Sequence, residues 1–332
     1  MIPISRPYIR RKEMDSVLSS LIEYSCNSRT ELEKSLKKRF IADSCFLFRG
    51  LEQAVRTLFK TLERVEGAEV IISPLAPAYV NSIIKESGFS PIFVDVELTS
   101  GLFDPKELEK KISDNSAYII STSVFGLIYP FNKIEEYGIP VIELFTSGIS
   151  YTNEQEIIGH RATYTVLSLE ENSIVTTMGG AALLSNIASE SQNIKNLFAI
   201  ESDLTLSNMN SSFAIPGLED LETLIDKQKS IKEYFKASTM QSGYYFFSHD
   251  TGALTSAFPV VLNKGLKDVQ HYCKNSGVET IKGFQDTIIK HFEVKNCKNA
   301  RLLAGKTLLF PLFIGMKKDS VSLISKILST LP

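Results

Sequence analysis

The sequence predicts an α/β protein with a large domain built on a mostly parallel sheet and a smaller C-terminal α+β domain. Its length of 332 residues corresponds to roughly two domains of about 150 residues each. Hydrophobic residues make up 43% of the chain, enough for buried cores. Between residues 69 and 186, short apolar runs alternate with helical patterns, as they do in βαβ units. We expect a large domain with an N-terminal arm over residues 1–235 and a small domain over 236–332.

The βαβ region predicts its elements in a regular order. Strands and helices, starting with a strand, are expected to alternate over 70–72, 78–87, 91–95, 105–112, 117–122, 134–137 and 140–143. Asp104 offers a capping side chain to the second helix, and Pro105 suits its first position. The strand over 117–122 is apolar on both faces, which predicts an interior place in the sheet.

The remainder of the chain predicts a strand pair, a linking helix and the small domain. The strands of the pair, 166–169 and 181–184, flank a loop at 176–180. An amphipathic helix over 217–237 links the two domains. Its apolar face carries Leu218, Leu221, Leu224 and Ile225. The small domain is expected to contain strands over 257–262 and 307–310 and a terminal helix over 319–328.

Composition and charge exclude several classes of function. Lys and Arg number 36 against 38 Asp and Glu, and the net charge of −2 offers no basic footprint for nucleic acid. No apolar stretch reaches the ~18 residues of a membrane-spanning helix, and the first residues lack the apolar core of a signal peptide. We therefore expect a cytoplasmic protein without nucleic-acid or membrane partners.

The cysteines and histidines predict no metal site. Cys26, Cys45, Cys273 and Cys297 are scattered without a C-x-x-C pair, and we expect reduced structural thiols. The four histidines stand in no metal-binding frame such as H-E-x-x-H.

Short motifs in a recognisable order run through nearly the whole chain. They are ISRP (4–7), GAEVI (67–71), GFSPIFVDV (88–96), GIPVIE (138–143), TTMGG (176–180), NMN (208–210) and GKTLLFPL (305–312). In order and spacing they resemble the DegT/DnrJ/StrS sugar aminotransferase family. The resemblance implies the type I fold of pyridoxal-phosphate (PLP) enzymes and a homodimer with sites at the subunit interface. Members of that family aminate keto-sugars on nucleotide carriers, for surface polysaccharides or antibiotics.

The chemistry of the family needs a Schiff-base lysine and a carboxylate that keeps the pyridine nitrogen of PLP protonated. The lysine position falls on Ser173, and the chain has no lysine between Lys133 and Lys195. The carboxylate position falls on Leu144. Its neighbour Glu143 is expected to be structural and to point away, because side chains alternate along a strand. The resemblance therefore implies no covalent PLP, while non-covalent PLP or pyridoxamine phosphate (PMP) stays open.

Two further cofactor positions are altered. The ring that covers the cofactor falls on Pro77, with Tyr79 as an alternative. The helix start that binds the cofactor phosphate falls on Gly50, followed by Leu51 and Glu52 where the family has a hydroxyl residue. A carboxylate at this place would repel a phosphate unless it turned outward.

Other suggestive residues have simpler explanations. Ser168 and Asn208 match family positions that contact the phosphate, Asn208 from the other subunit, although a structural hydrogen-bonding role explains them equally well. Gly179 and Gly180 are expected to serve a turn with positive φ. The aromatic run at 244–247 is expected in a core or an interface. A dehydratase branch of the family uses a histidine at the lysine position, and His160 does not occupy that position.

These substitutions leave three hypotheses open. In the first, the chain is a degenerate family member that cannot transaminate and has a binding, partner or regulatory role in sugar or surface-polysaccharide metabolism. In the second, it binds PLP or PMP non-covalently and acts on a nucleotide-sugar by an altered mechanism. In the third, it is the dimer partner of an active paralogue.

Overall fold

A computed structural model describes residues 1–23, 27–149, 159–200, 202–242, 247 and 255–331. Cys26 and three members of the aromatic run, Tyr244, Tyr245 and Phe246, lie outside the described residues. The helices are α1 (Arg11–Ile22), α2 (Ser28–Phe40), α3 (Leu51–Thr61), α4 (Ala78–Glu86), α5 (Pro105–Lys111), α6 (Phe131–Glu135), α7 (Ala188–Ile200), α8 (Asn208–Glu219), α9 (Leu221–Ser242), α10 (Leu266–Asn275), α11 (Ile288–His291), α12 (Lys298–Lys306) and α13 (Lys318–Ser329). The strands are β1 (Ser44–Phe48), β2 (Glu69–Ile72), β3 (Ser90–Phe93), β4 (Ser116–Thr122), β5 (Val141–Phe145), β6 (Tyr164–Ser168), β7 (Ala181–Ser185), β8 (Ala257–Val261), β9 (Ile281–Lys282) and β10 (Thr307–Pro311).

The large sheet has the strand order β1-β7-β6-β5-β4-β2-β3. Each neighbouring pair in the series β6, β5, β4, β2 and β3 is parallel, whereas β7 runs antiparallel to both β1 and β6. The predicted α/β class with a mostly parallel sheet is confirmed. β4 lies between β5 and β2, as its doubly apolar sequence predicts. The Asp104 carboxylate caps α5 by accepting bonds from the Lys106 and Glu107 backbone amides.

The single helix predicted over 217–237 is wrong, because α8 ends at Glu219 and α9 begins at Leu221. Pro216 lies in the last turn of α8 and lacks the amide hydrogen that would bond the Ser212 carbonyl, so the helix is weakened shortly before its end. Asp220 separates the helices, and its carboxylate accepts hydrogen bonds from Arg10 and Lys12. The predicted bounds 134–137 of a shorter helix are also wrong, since α6 begins after Pro130 and spans Phe131–Glu135.

Apolar residues pack on both faces of the large sheet. One cluster joins the sheet to α3, α4 and α5, and a second joins it to α2, α8 and the start of α9. A third lies between the antiparallel sheet β8-β10-β9 and the helices α9, α10 and α13. Helix α9 contributes to both the second and the third cluster, through Leu221 and Ile225 and through Phe235. Among the described helices, none is long and apolar enough to cross a membrane.

Candidate functional site

A cleft of about 730 Å³ opens at the carboxyl ends of the central parallel strands, where open α/β sheets bind their ligands. One wall comes from the large sheet and the starts of α3 and α4, and the other from β8, β9, β10 and the segment before α11. The Ala78 amide donates to the Asp286 carbonyl at 2.8 Å, and the Ile288 amide donates to the Ala76 carbonyl at 2.9 Å. These backbone bonds fix the two walls to each other on one side of the cleft.

Ser173 lies in the loop after β6 and is buried. Its hydroxyl donates to the Ser168 carbonyl at 3.2 Å and lies 3.4 Å from the Ser168 hydroxyl. A Cβ atom at Gly148 would lie 3.1 Å from the Ser173 Cβ, so the two backbones approach closely. Ser173 borders a small cavity of about 20 Å³ beside the main cleft rather than the cleft itself. The loop is therefore packed around a small side chain at this position.

Leu144 and Glu143 occupy adjacent positions near the end of β5. Leu144 is 1% exposed, belongs to the apolar cluster on the α3 side and pairs in register with Thr122. Glu143 is 2% exposed and does not line the cleft. Burial raises the pKa of Glu143 to about 8, with Arg161 opposing the shift. Its Oε2 atom has no hydrogen-bond partner within the described part of the chain.

Pro77 and Tyr79 both line the cleft. Pro77 precedes the first residue of α4, so its ring lies at the edge of this helix. The Tyr79 hydroxyl is buried and has no hydrogen-bond partner in the ranges that the structure describes. Burial, together with the carboxylates of Glu170 and Glu52, raises the pKa of Tyr79. Tyr79 is therefore a neutral hydroxyl close to two acidic groups.

The start of α3, the family's phosphate position, lies in the cleft together with the carboxylate residues Glu52 and Glu170. Gly50 is the N-cap residue, with extended backbone and no capping side chain. Burial raises the pKa of the Glu170 carboxyl, and the Leu51 backbone amide opposes this shift. Glu52 also lines the cleft and forms an ion pair with Arg56 at 3.0 Å.

Ser168 and Asn208 take part in internal hydrogen bonds. The buried Ser168 hydroxyl accepts from the Glu170 amide at 3.3 Å. Asn208 is exposed at the start of α8, and its Oδ1 accepts from the Arg29 amide at 3.0 Å. Neither residue lines the cleft. An approach of Asn208 to the cleft of a second subunit stays a prediction.

The glycine pair and the aromatic run behave as structural groups where they are described. Gly179 has a φ of +111°, as the predicted turn requires. Phe247 is buried and contacts the rings of Phe125 and Phe284, which line the cleft. His160 does not line the cleft, and its carbonyl accepts from the Asn186 side-chain amide at 3.0 Å.

The described cysteines and acidic groups form no metal site. Cys45, Cys273 and Cys297 are unbridged and buried. Burial raises the pKa of both Cys273 and Cys297 to about 11, so both stay protonated thiols. Within the described ranges, no group of three or more His, Cys, Asp or Glu side chains is arranged to hold a metal ion.

Sequence reasoning missed the hydroxyl residues at the end of β4. Thr122 is 6% exposed, lines the cleft and has a hydroxyl without a hydrogen-bond partner among the described residues. Ser123 follows it, and its hydroxyl accepts from the Thr146 amide at 3.1 Å. Polar residues directly after an apolar interior strand were the available signal. The place of Glu170 in the cleft was also missed, because the cleft joins it to residues far away in sequence, such as Leu51.

The profile of the DegT/DnrJ/EryC1/StrS aminotransferase family matches residues 10–329. The chain belongs to this family. It is 22% identical to dTDP-4-amino-4,6-dideoxy-D-glucose transaminase of Escherichia coli, with 90% of this chain and 88% of the relative covered. It is 24% identical to spore coat polysaccharide biosynthesis protein SpsC of Bacillus subtilis strain 168, with 70% and 67% covered.

The fold of this family member also matches solved structures. E. coli GDP-4-keto-6-deoxy-D-mannose-3-dehydratase with bound hydrated PLP superimposes with a TM-score of 0.90 at 15% identity, and 99% of each chain is covered. Together with the family match, this similarity confirms the predicted type I fold of PLP-dependent enzymes.

Proposed function

We propose that this family member does not transaminate and has a binding or partner role in sugar or surface-polysaccharide metabolism. The observation that carries the proposal concerns Ser173, the residue expected at the Schiff-base position. Its hydroxyl bonds the Ser168 carbonyl inside a loop that Gly148 packs against. Of the described residues lining the cleft, only Lys282 is a lysine, and it comes from β9 on the opposite wall.

The residues around the cleft do not fit PLP in the manner that the family resemblance implies. PLP acts as an electron sink when an amine holds it and a carboxylate keeps its pyridine nitrogen protonated. Leu144, expected at the carboxylate position, lies in an apolar cluster. At the family's phosphate position, Leu51 lines the cleft together with two carboxylate residues, Glu52 and Glu170. We therefore assign no reaction step to this cofactor.

Two features support a binding role for the cleft. The cleft has a volume of about 730 Å³, although neither Ser173 nor Leu144 lines it. Thr122 and Tyr79 line it, and their buried hydroxyls have no hydrogen-bond partner among the described residues. The relatives are named for a nucleotide-sugar transaminase and for polysaccharide biosynthesis, so a nucleotide-sugar in the cytoplasm is the ligand we propose.

A homodimer through the large domain is part of the same proposal. The side chains of Met14, Leu18, Leu21 and Ile22 are exposed on α1 at the spacing of one helical stripe. Met209, beside Asn208 at the start of α8, is also exposed. An apolar stripe of this kind is typical of an interface. Sedimentation should give a dimer, which would bury more than about 1,000 Å², and a monomer at micromolar concentration would contradict it.

Covalent trapping tests the absence of a Schiff base. The protein is incubated with PLP, reduced with borohydride, digested and mapped by mass spectrometry. We expect no pyridoxyl-lysine in the cleft, and Lys282 is the position to inspect first. An adduct at Lys282 that disappears in Lys282→Met, while surface adducts persist, would contradict the proposal.

Two other measurements separate the remaining hypotheses. Saturable PLP absorbance without an adduct would favour a catalyst that uses PLP or PMP non-covalently. Stable co-purification with an active paralogue would favour a role as its dimer partner.

A further inference from the structure

We propose that Phe125 and Phe284 form an aromatic surface in the cleft that binds the sugar half of a nucleotide-sugar. The inference rests on the proposed function, because it identifies which part of that ligand the cleft binds and which side chains recognise it.

The first observation concerns the backbone of Phe125. The amides of Val124 and Leu127 each donate to the carbonyl of the other residue, at 2.8 and 2.9 Å. Phe125 and Gly126 are therefore the two central residues of a tight hairpin turn. Their φ angles are +48° and +81°, as in a type I′ turn, which favours Asn-Gly at these positions. Because positive φ is unfavourable for a bulky side chain, formation of the turn does not explain the ring at residue 125.

Phe284 has the same backbone conformation on the opposite wall, with a φ of +59°. The Gly283 amide donates to the Thr307 carbonyl at 2.9 Å, and a Cβ atom on Gly283 would lie 2.8 Å from the Thr307 Cγ2 atom. The Thr287 hydroxyl donates to the Phe284 carbonyl at 2.7 Å. The neighbouring residues thus hold Phe284 in an unfavourable conformation, which is typical of residues at ligand-binding sites.

The rings of Phe125 and Phe284 form a surface rather than a slot. Their centroids lie 5.1 Å apart, with an angle of 57° between the ring planes. A flat ring inserted between them would need about 7 Å, twice the contact distance of carbon atoms. Both residues are half-buried and line the cleft. A ligand ring must therefore pack on their outer faces.

The charges around the cleft favour the sugar half of the ligand over its diphosphate. Glu52, Glu170 and Asp286 line the cleft, whereas Lys282 is the sole basic residue among the described lining residues. Carboxylates accept hydrogen bonds from sugar hydroxyls, but they repel a diphosphate. The C–H groups of a sugar ring suit an aromatic surface, and the surrounding polar residues suit its hydroxyls. We therefore expect the sugar to lie on the two rings and the nucleotide to extend from the cleft.

Titration calorimetry tests this surface with UDP-glucose, dTDP-glucose and GDP-mannose, each compared with its nucleoside diphosphate. Wild type should bind at least one nucleotide-sugar more tightly than the corresponding nucleoside diphosphate. Phe125→Leu and Phe284→Leu should each weaken binding of that nucleotide-sugar by about fivefold, because each variant loses one ring of the surface. Binding of the nucleoside diphosphate should not change.

Phe247→Leu is the matched control for the packing of the aromatic rings. Phe247 contacts the rings of Phe125 and Phe284 but does not line the cleft. The variant should bind the nucleotide-sugar as wild type does. A loss as large as that of Phe125→Leu would overturn the proposal, since ring packing alone would then explain the effect.

A second pair of variants tests whether Phe125 serves ligand binding rather than the turn. Ile41 also has a positive φ, +51°, at the end of α2, where it is 75% exposed and outside the cleft. Phe125→Asn and Ile41→Asn both introduce a residue that tolerates positive φ. Only Phe125→Asn should weaken binding of the nucleotide-sugar. If Phe125→Asn does not fold, Phe125→Leu decides.

Three results would overturn the proposal while leaving the proposed function intact. They are unchanged binding in the Phe125 variants, equal weakening for the nucleotide-sugar and its nucleoside diphosphate, and a wild type that binds both equally well. Equal weakening would assign the rings to the nucleotide half of the ligand. If wild type binds none of the three nucleotide-sugars, the proposed ligand class fails and this inference fails with it, so the two failures are distinguishable.

Discussion

Two groups of hydroxyls near the cleft differ in how they are bonded. At the end of β6 and in the loop that follows it, the hydroxyls of Ser168, Ser173 and Thr177 all take part in hydrogen bonds within the protein. On the cleft wall, the hydroxyls of Thr122 and Tyr79 have no partner among the described residues. Residues at family cofactor positions lie in both groups, since Ser168 and Ser173 belong to the first and Tyr79 belongs to the second. The hydroxyls of the first group stabilise the protein through hydrogen bonds, whereas those of the second group make none within the described residues.

The largest expected effect comes from adding a carboxylate where the family resemblance places one. Leu144→Asp puts a charge into an apolar cluster, and we expect a loss of about 4 kcal/mol in the free energy of unfolding. Leu144→Met keeps the volume and should lose less than about 1.5 kcal/mol. Urea unfolding measures both. A Leu144→Asp protein as stable as wild type would mean that the surroundings of residue 144 still accommodate a carboxylate, which would contradict this prediction.

Restoring the lysine as well extends this prediction. Ser173→Lys alone should give at most weak aldimine absorbance, because Leu144 offers no charge to the pyridine nitrogen and the carboxylate residues Glu52 and Glu170 line the cleft beside Leu51. The double variant Ser173→Lys/Leu144→Asp should be destabilised without PLP and partly recovered with it, since a ligand of the folded state adds stability. Strong aldimine absorbance in the single variant would contradict the account.

The next prediction concerns how much the buried carboxyl group of Glu143, whose Oε2 atom has no partner among the described residues, lowers the free energy of unfolding. Its pKa is about 8 in the folded protein against an ordinary value of 4.5, so the folded state keeps a proton that the unfolded chain releases. The free energy of unfolding should fall as pH rises through this window and then level off. Glu143→Gln should remove the fall and be about 2–4 kcal/mol more stable at pH 9.

Chemical denaturation between pH 4 and 9 measures this difference. The exposed Glu171→Gln should follow wild type at every pH. Parallel curves for Glu143→Gln and wild type would show that Glu143 is stabilised as a carboxylate.

A matched pair of substitutions compares the two groups of hydroxyls directly. The Thr177 hydroxyl contacts the Leu169 and Gly179 carbonyls, each at 3.1 Å, so Thr177→Val should lose about 1–3 kcal/mol. Thr122→Val removes a hydroxyl without a described partner and should stay within about 0.5 kcal/mol of wild type or exceed it. Equal losses in the two variants would remove the distinction between the groups.

Local patterns in the sequence predicted much of the fold. The Asp104-Pro105 start of α5 and the apolar run of β4 depend on neighbouring residues, and both are confirmed. The break at Asp220 was not predictable from apolar spacing, because that spacing continues across it. Arg10 and Lys12, which bond Asp220, lie near the other end of the large domain's sequence.

The candidate site was less predictable than the fold. Motif positions indicated where cofactor residues are expected, but the internal bonds of Ser173 depend on the packing of Gly148. Glu170 and Leu51 line the same cleft because the end of β6 lies near the start of α3. Such contacts arise only when the sheet is assembled.

Thermal unfolding of the wild-type protein with and without PLP is the most direct test of whether the cleft still binds this cofactor. A ligand at one hundred times its dissociation constant adds about 2.7 kcal/mol, which would shift the melting temperature by several degrees. Because Glu52 and Glu170 line the cleft beside Leu51 and Ser173 lies inside its loop, we predict no saturable shift with PLP and the same small effect with pyridoxal, which lacks the phosphate. A large, saturable shift with PLP alone would contradict the account and favour a lysine-free PLP catalyst.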